Sequence, residues 1–248
     1  MQTLNGKVAL VTGSARGLGK AIAERFAALG ADIVINYSRD KASADEVMSN
    51  IKAMGVTVIA VKADVSQPAE IEHLFNEAKR QFGKIDIVVA NAGVELVDVP
   101  VTAFTEQQYD RLFGINTKGA FFTLQQAAKH IADGGRIINI ASSTTLFPFE
   151  GVGLYGGSKT APKYLVEVLA KEIGHRGVTV NSIIPYAVDN AGIFTDPNEP
   201  SIKWLIEANP MKRLAHVEDV ANVAEFFASD LASFVNGQHL LVNGGASH

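Results

Sequence analysis

The 248-residue chain contains no cysteine. Disulfides, thiol nucleophiles and cysteine-bound metals are thereby excluded from its chemistry. Basic residues form no block, and 22 Lys+Arg against 26 Asp+Glu leave a formal net charge of −4. An electrostatic grip on nucleic acid or an anionic bilayer is not expected from such a surface. No apolar run approaches the roughly 20 residues that a membrane helix needs. The opening residues Met1-Gln2-Thr3-Leu4-Asn5-Gly6 lack the basic segment and apolar core of a secretory signal. A cytoplasmic protein with neither membrane nor nucleic acid as partner is expected. The six histidines show no ligand spacing, and no metal is expected. There is no internal repeat, low-complexity tract or linker. One domain over residues 1–248 is expected, a size of roughly 250 residues being ordinary for a single α/β domain.

What is present is a regular alternation. Strand-length apolar runs fall at residues 7–12, 32–36, 57–61, 85–90, 136–140, 178–183 and 239–242. They are short and rich in β-branched residues, the pattern of parallel strands buried on both faces. Helix-period segments lie between them. Leu18, Ile22, Phe26 and Leu29 mark one helix face. Further helices are expected up to about Met54, after Pro68, and over about residues 106–131, 155–175 and 217–228. The alternation predicts a Rossmann-type α/β fold with a doubly wound parallel sheet. Residues 186–210 are the least regular stretch. They follow the sixth strand, at whose carboxyl end ligands of such sheets bind, so a substrate loop or lid is expected there.

Two motifs carry chemistry. Thr12-Gly13-Ser14-Ala15-Arg16-Gly17-Leu18-Gly19 joins the first strand to the first helix. Glycine permits a tight turn and close approach of a pyrophosphate, and the helix start offers free N–H groups. It is not a Walker loop, because Lys20 is followed by Ala21 and the glycine spacing differs. Tyr155 and Lys159 stand four apart at a helix start, one turn apart on one face. A nearby cation favours phenolate and lowers a tyrosine pKa from about 10. A tyrosine brought toward neutrality can give a proton to a developing alkoxide or take one from an alcohol. Ser142 follows the fifth strand, at the carboxyl edge, where its hydroxyl can hold a substrate oxygen. Asn116 falls within the expected 106–131 helix, and Asn91-Ala92-Gly93 closes the fourth strand.

Taken together and in order, the 12–19 loop, Asp64-Val65, Asn91-Ala92-Gly93, Asn116, Ser142, Tyr155 with Lys159, Pro185 and the closing Asn236-Gly237-Gln238…Asn243-Gly244-Gly245 resemble the short-chain dehydrogenase/reductase family. The resemblance covers essentially the whole chain. It implies strand order 3-2-1-4-5-6-7 and a homotetramer packed through the 106–131 and 155–175 helices. In the reduction it implies, Tyr155 is the general acid. Lys159 lowers its pKa and holds the nicotinamide ribose, Ser142 polarises the carbonyl, and Asn116 positions a water linked to Lys159. Gly13, Ser14, Arg16, Gly17, Leu18 and Gly19 would meet the cofactor phosphates. Asp64 and Val65 would meet the adenine. Asn91, Ala92, Gly93, Pro185 and Val188 would line the rest of the cofactor cleft.

At the end of the second strand, where an acid would bind the ribose 2′-hydroxyl of NAD, the sequence reads Asn36-Tyr37-Ser38-Arg39. The acid position is neutral, and Arg39 and Arg16 can reach a 2′-phosphate. At about 1.5–3 kcal/mol for each charge-assisted bond, two would give roughly a hundredfold preference. NADP(H) is therefore expected over NAD(H), with Asp40 the residue able to neutralise Arg39. Three positions depart from the family pattern: Tyr186 replaces a glycine, Asn190 a threonine and Asn243 an aspartate. Pro162, inside the Tyr155 helix, removes the bond to Ser158 and is expected to bend the helix. Phe147, Phe149, Leu154, Ile193, Phe194 and Trp204 are candidates for an apolar pocket. The favoured function is NADPH-dependent reduction of a small-molecule ketone, possible substrates being apolar or aromatic. The alternatives are a 3-oxoacyl-carrier-protein reductase, an NAD-linked alcohol or sugar-alcohol dehydrogenase, and a cofactor-binding regulatory protein without catalysis.

Overall fold

The computed structural model describes residues 3–189, 191–192 and 199–246. Seven parallel strands form one sheet: β1 (Val8–Val11), β2 (Asp32–Tyr37), β3 (Val58–Lys62), β4 (Ile87–Ala90), β5 (Arg136–Ile140), β6 (Thr179–Pro185) and β7 (His239–Val242). Their order is β3-β2-β1-β4-β5-β6-β7. The chain thus winds outward from β1 to one edge, then returns and winds to the other. The reversal lies between β1 and β4, whose register pairs Ala9 with Ile87 and Val11 with Val89. A doubly wound sheet binds ligands at the carboxyl ends of its strands beside such a reversal.

Strand periodicity divides the core into two layers. Ala9, Val11, Ile33 and Ile35 point to one face, where α1 (Gly17–Ala28) contributes Ile22 and Phe26, α2 (Lys41–Ala53) Val47 and Ile51, and α8 (Val217–Ala228) Phe227. Val8, Leu10, Val34 and Val88 point to the other, against Ile71 and Phe75 of α3 (Pro68–Phe82), Leu124 of α5 (Ala120–His130) and Val166 and Leu169 of α6 (Gly153–Ile173). Burial on both faces accounts for the almost uninterrupted apolar character of the central strands. Local signals set several helix ends. Asp40 caps α2 by accepting from the Ser43 amide, Pro68 starts α3, and Gly83 ends it in the left-handed region at φ 75°.

The structure differs from the sequence expectation in two places that bear on function. The 106–131 stretch is not one helix. Helix α4 (Glu106–Phe113), a six-residue π-helical turn (Gly114–Gly119) and α5 follow one another. Periodicity cannot reveal the widened turn, because it preserves the general direction of the chain. The 186–210 stretch contains a helix, α7 (Pro200–Ala208), with Pro200 in its first turn. Helix α6 runs through 21 residues with Pro162 inside it. Asn190, Ile193 and Phe194 lie outside the described residues. Among the described residues, no helix is long and apolar enough to cross a membrane.

Candidate active site

A cleft of about 730 Å³ follows the carboxyl ends of the strands. At one end is the loop after β1. Gly13 takes φ 63°, and a Cβ there would stand 2.9 Å from the Ala92 Cα. A Cβ on Gly19 would come within 2.5 Å of both the Asn91 amide nitrogen and the Gly13 carbonyl. Any side chain at either position would push the loop away from the sheet. The loop is fixed from below: the Ser14 hydroxyl donates to the Val11 carbonyl at 2.7 Å, and the Thr12 hydroxyl accepts from the Asn91 and Ala92 amides at 3.0 Å each. Asn91 Nδ2 donates back to the Thr12 carbonyl at 2.8 Å. Helix α1 begins here with no side-chain cap, so its first-turn N–H groups are open to an anion in the cleft.

Asn36 is buried. Its Oδ1 accepts from the Gly13 amide at 3.0 Å and its Nδ2 donates to the Ala63 carbonyl at 3.0 Å. Its amide thus ties the glycine loop to the β2 and β3 ends. Tyr37, Ser38 and Arg39 continue along the cleft. Asp40 does not neutralise Arg39. Among the described residues neither Arg16 nor Arg39 forms an ion pair, while the Asp40 carboxylate accepts from the Ser43 amide and hydroxyl. Those bonds, with the field of Arg16 behind them, hold Asp40 below the usual carboxylate range. Asp64 is exposed and Val65 buried, and both line this end.

The other end holds Ser142, Tyr155 and Lys159, all under a tenth exposed. Ser142 Oγ accepts from the Thr144 hydroxyl at 2.9 Å and the Thr144 amide at 3.3 Å. Its own proton therefore remains to be donated, and the Tyr155 phenol lies within its hydrogen-bonding reach. Lys159 Nζ donates to the Ile140 carbonyl at 3.1 Å. The ammonium fits because residue 93 is glycine; a Cβ there would stand 3.0 Å from Nζ and 3.3 Å from Asn116 Oδ1. Asn116 sits in the π-helical turn. Its Oδ1 accepts from the Val94 amide and its Nδ2 donates to the Val94 carbonyl, both at 2.8 Å, and Nδ2 also donates to Ser158 Oγ at 3.0 Å.

Electrostatics correct one expectation. The sequence suggested a tyrosine lowered by its lysine neighbour. In the protein alone, burial pushes the Tyr155 phenol up, the negative charge of Glu95 pushes it the same way, and the Ser142 bond only partly offsets them. Burial brings Lys159 down to about 8 despite Glu95.

The structure brings Gly13, Arg16, Gly17, Leu18, Gly19, Asn36, Tyr37, Ser38, Arg39, Asp64, Val65, Asn91, Ala92, Gly93, Ser142, Tyr155, Lys159, Pro185 and Val188 to one cleft wall. Ser14 and Asn116 stand behind it as supports. Among the described residues the cleft is not lined by Phe147, Phe149, Leu154 or Trp204, and Phe149 and Trp204 are 59% and 63% exposed. Tyr186 lines the cleft and also packs against Ala187, Ile202 and Leu214. Sequence reasoning missed Glu95, Thr144 and Thr117. Glu95 is two residues beyond the Asn91-Ala92-Gly93 turn and Thr144 two beyond Ser142, so proximity to the motifs was the available signal.

The cradle that side chains would fill, the uncapped helix start and the paired arginines fit a dinucleotide phosphate. A seven-stranded parallel sheet in this order, with such a cleft at its carboxyl ends, places the protein in the dinucleotide-binding class. The family model described as enoyl-(acyl carrier protein) reductase matches residues 13–247. A short-chain type dehydrogenase/reductase of Picea abies is 41% identical over 98% of this chain and 93% of its own length. A hydroxynaphthalene reductase-like protein of Metarhizium brunneum is 39% identical, covering 99% and 96%. A short-chain dehydrogenase of Burkholderia cenocepacia, solved in complex with NADP, superposes with a TM-score of 0.92 at 32% identity over 98% of both chains. The chain belongs to the short-chain dehydrogenase/reductase family.

The displaced lysine titration has a measurable consequence. Between about pH 8 and the ordinary value of 10.5, the unfolded chain holds a proton on Lys159 that the folded protein has lost. Stability from this group is therefore least below about pH 8 and rises with pH through that window. Lys159→Met removes the effect. Urea unfolding at about pH 7.5 and about pH 9.5, below the range where Tyr155 would contribute, should show the wild type gaining on the variant as pH rises. A constant difference would mean that the buried ammonium titrates normally.

Proposed function

We propose that the chain reduces a ketone to an alcohol with NADPH, reversibly, within one catalytic domain spanning residues 1–248. The observation that carries this reading is the convergence of two hydroxyl donors, Ser142 and Tyr155, beside a buried ammonium at the end of the phosphate-binding cleft. NADPH, when bound, supplies the hydride. Ser142, oriented by Thr144, donates to the substrate oxygen and polarises the carbonyl. Tyr155 gives its proton to that oxygen as negative charge develops. A phenol held protonated by burial is ready for this direction of reaction. Lys159 holds the cofactor ribose and stabilises the phenolate left behind, and Asn116 supports the route by which the proton is replaced. Pro185 and Val188 line the cleft and would border the nicotinamide, and Tyr186, Ala191 and Gly192, also on its lining, would meet the substrate.

NADP(H) over NAD(H) rests on Arg16 and Arg39, exposed and outside any ion pair, with Ser38 between the strand end and Arg39. The complex of the Burkholderia cenocepacia relative with NADP supports the same choice. The substrate is a small molecule with a carbonyl group, apolar or aromatic in the favoured reading. Glu95 lines the reacting end of the cleft, and a 3-oxoacyl-carrier-protein reductase remains the alternative within the same chemistry. The hydroxynaphthalene reductase-like relative makes aromatic ketones the first to try. The protein is a cytoplasmic homotetramer. On α6, Leu169 belongs to the core and Leu165, partly buried, packs against it. Phe121 and Tyr164 are the exposed apolar residues of α5 and α6, at 44% and 67%.

NADPH oxidation with neutral and carboxylate-bearing ketones tests the function. Tyr155→Phe should abolish at least nine-tenths of kcat while leaving NADPH affinity within about threefold, since it removes a proton but little volume. Activity with NADH alone would favour the alcohol dehydrogenase reading, and none with either cofactor the regulatory one. Arg39→Asp should move the kcat/KM ratio for NADPH over NADH toward NADH by about tenfold or more, the cost of losing one charge-assisted bond. An unchanged ratio would remove Arg39 from phosphate recognition. Light scattering at micromolar concentration should report four subunits; a monomer would refute the assembly.

A further inference from the structure

Proline lacks an amide hydrogen, so Pro162 cannot bond the carbonyl four residues earlier in α6. That carbonyl belongs to Ser158, which is fully buried between Tyr155 and Lys159 in sequence. A buried carbonyl without a partner is costly. The structure supplies one from another element: the Thr117 hydroxyl donates to the Ser158 carbonyl at 2.8 Å. Thr117 stands in the π-helical turn, next to Asn116. The adjoining Asn116 amide donates to Ser158 Oγ, and Ser158 Oγ donates to the Tyr155 carbonyl at 2.7 Å. Both polar oxygens of Ser158 are therefore held by consecutive residues of one turn.

We infer that Thr117 is a positioning residue for the Tyr155–Lys159 pair, its hydroxyl standing in for the amide hydrogen that Pro162 lacks and locking the first turns of α6 to the π-helical turn. An ordinary helix would satisfy the Ser158 carbonyl within itself and be free to slide against its neighbour. Here the bond is moved between elements. The position of the phenol and ammonium along the cleft is set by a contact that crosses from α6 to the turn carrying Asn116. The inference takes Tyr155 and Lys159 as the reacting pair, as proposed above.

The test is a double-mutant cycle on the intact protein with Thr117→Val and Pro162→Ala, and Thr117→Ser as the conservative control. Pro162→Ala returns an amide hydrogen to the helix, so it makes the threonine hydroxyl dispensable. Thr117→Val should lower the urea midpoint in the wild-type background and leave it nearly unchanged in the Pro162→Ala background. With the best ketone, Thr117→Val should lower kcat by about tenfold, with KM for NADPH within about twofold, because a small displacement of reacting groups costs rate before it costs binding. The alkaline limb of the kcat profile should also move. Thr117→Ser should retain wild-type behaviour, and Pro162→Ala should restore most of kcat to the valine variant. If the valine variant does not fold, rescue of folding by Pro162→Ala supports the exchange of partners and its absence overturns it. Additive effects on the midpoint would overturn the bond exchange. An unchanged kcat and pH profile alongside a lowered midpoint would reduce Thr117 to a structural role. A wild type inactive on every carbonyl would defeat the functional reading, while the denaturation cycle would still decide the bond exchange.

Discussion

A lysine ammonium kept out of water at the carboxyl edge of the sheet sets the requirements that the surrounding residues meet. Lys159 donates to the Ile140 carbonyl at the end of β5. Burial costs a charged group dearly, and its titration has moved down to about 8 in response. Room for it requires glycine at position 93. The turn that contains Gly93 is in turn held by Thr12 and Asn91, and by the two bonds between Asn116 and Val94. A disturbance in any of these would change the space around the same ammonium.

Three asparagines share this work and leave little hydrogen-bonding capacity for a ligand. Asn36 ties the glycine loop to the β2 and β3 ends, Asn91 ties β4 to the loop, and Asn116 ties the π-helical turn to Val94 and α6. A side-chain amide offers both donors and an acceptor, so one residue can join two backbone segments that are not in the same ladder. The charges are then distributed by position along the cleft. Exposed arginines stand at the glycine-loop end, whereas Glu95 and the buried lysine line the cleft with Ser142 and Tyr155.

Much of this was legible in the sequence. The seven strands follow from short β-branched runs, with boundaries displaced by one or two residues, and their order in the sheet is the one the family resemblance implied. The glycine loop, Ser142, Tyr155 and Lys159 converge as their positions at strand and helix ends suggested. Helix α7 was missed because its flanking prolines read as loop, although Pro200 belongs in a first helical turn, where a missing amide hydrogen costs nothing. Phe147, Phe149, Leu154 and Trp204 were grouped by their apolar character, which does not say toward which side of its element each side chain points. Asn36 was placed beside the cofactor cleft from its position at a strand end; it lines the cleft, and its bonds to the Gly13 amide and the Ala63 carbonyl came only with the structure.

The sequence by itself determined the fold class and the chemical type of the site, because both depend on patterns that survive in one dimension: strand and helix periodicity, and reactive groups at the ends of those elements. Only the tertiary structure decided the electrostatic state of the pair and the partner of the Ser158 carbonyl. The spacing of Tyr155 and Lys159 argued for a lowered phenol pKa. Depth below the surface and the charge of Glu95, neither visible in a spacing, push it up instead. Pro162 announced a missing bond, but the hydroxyl that replaces it lies 41 residues away from the carbonyl it satisfies. Which remote group comes within hydrogen-bonding distance of that carbonyl is settled by how α6 packs against the π-helical turn.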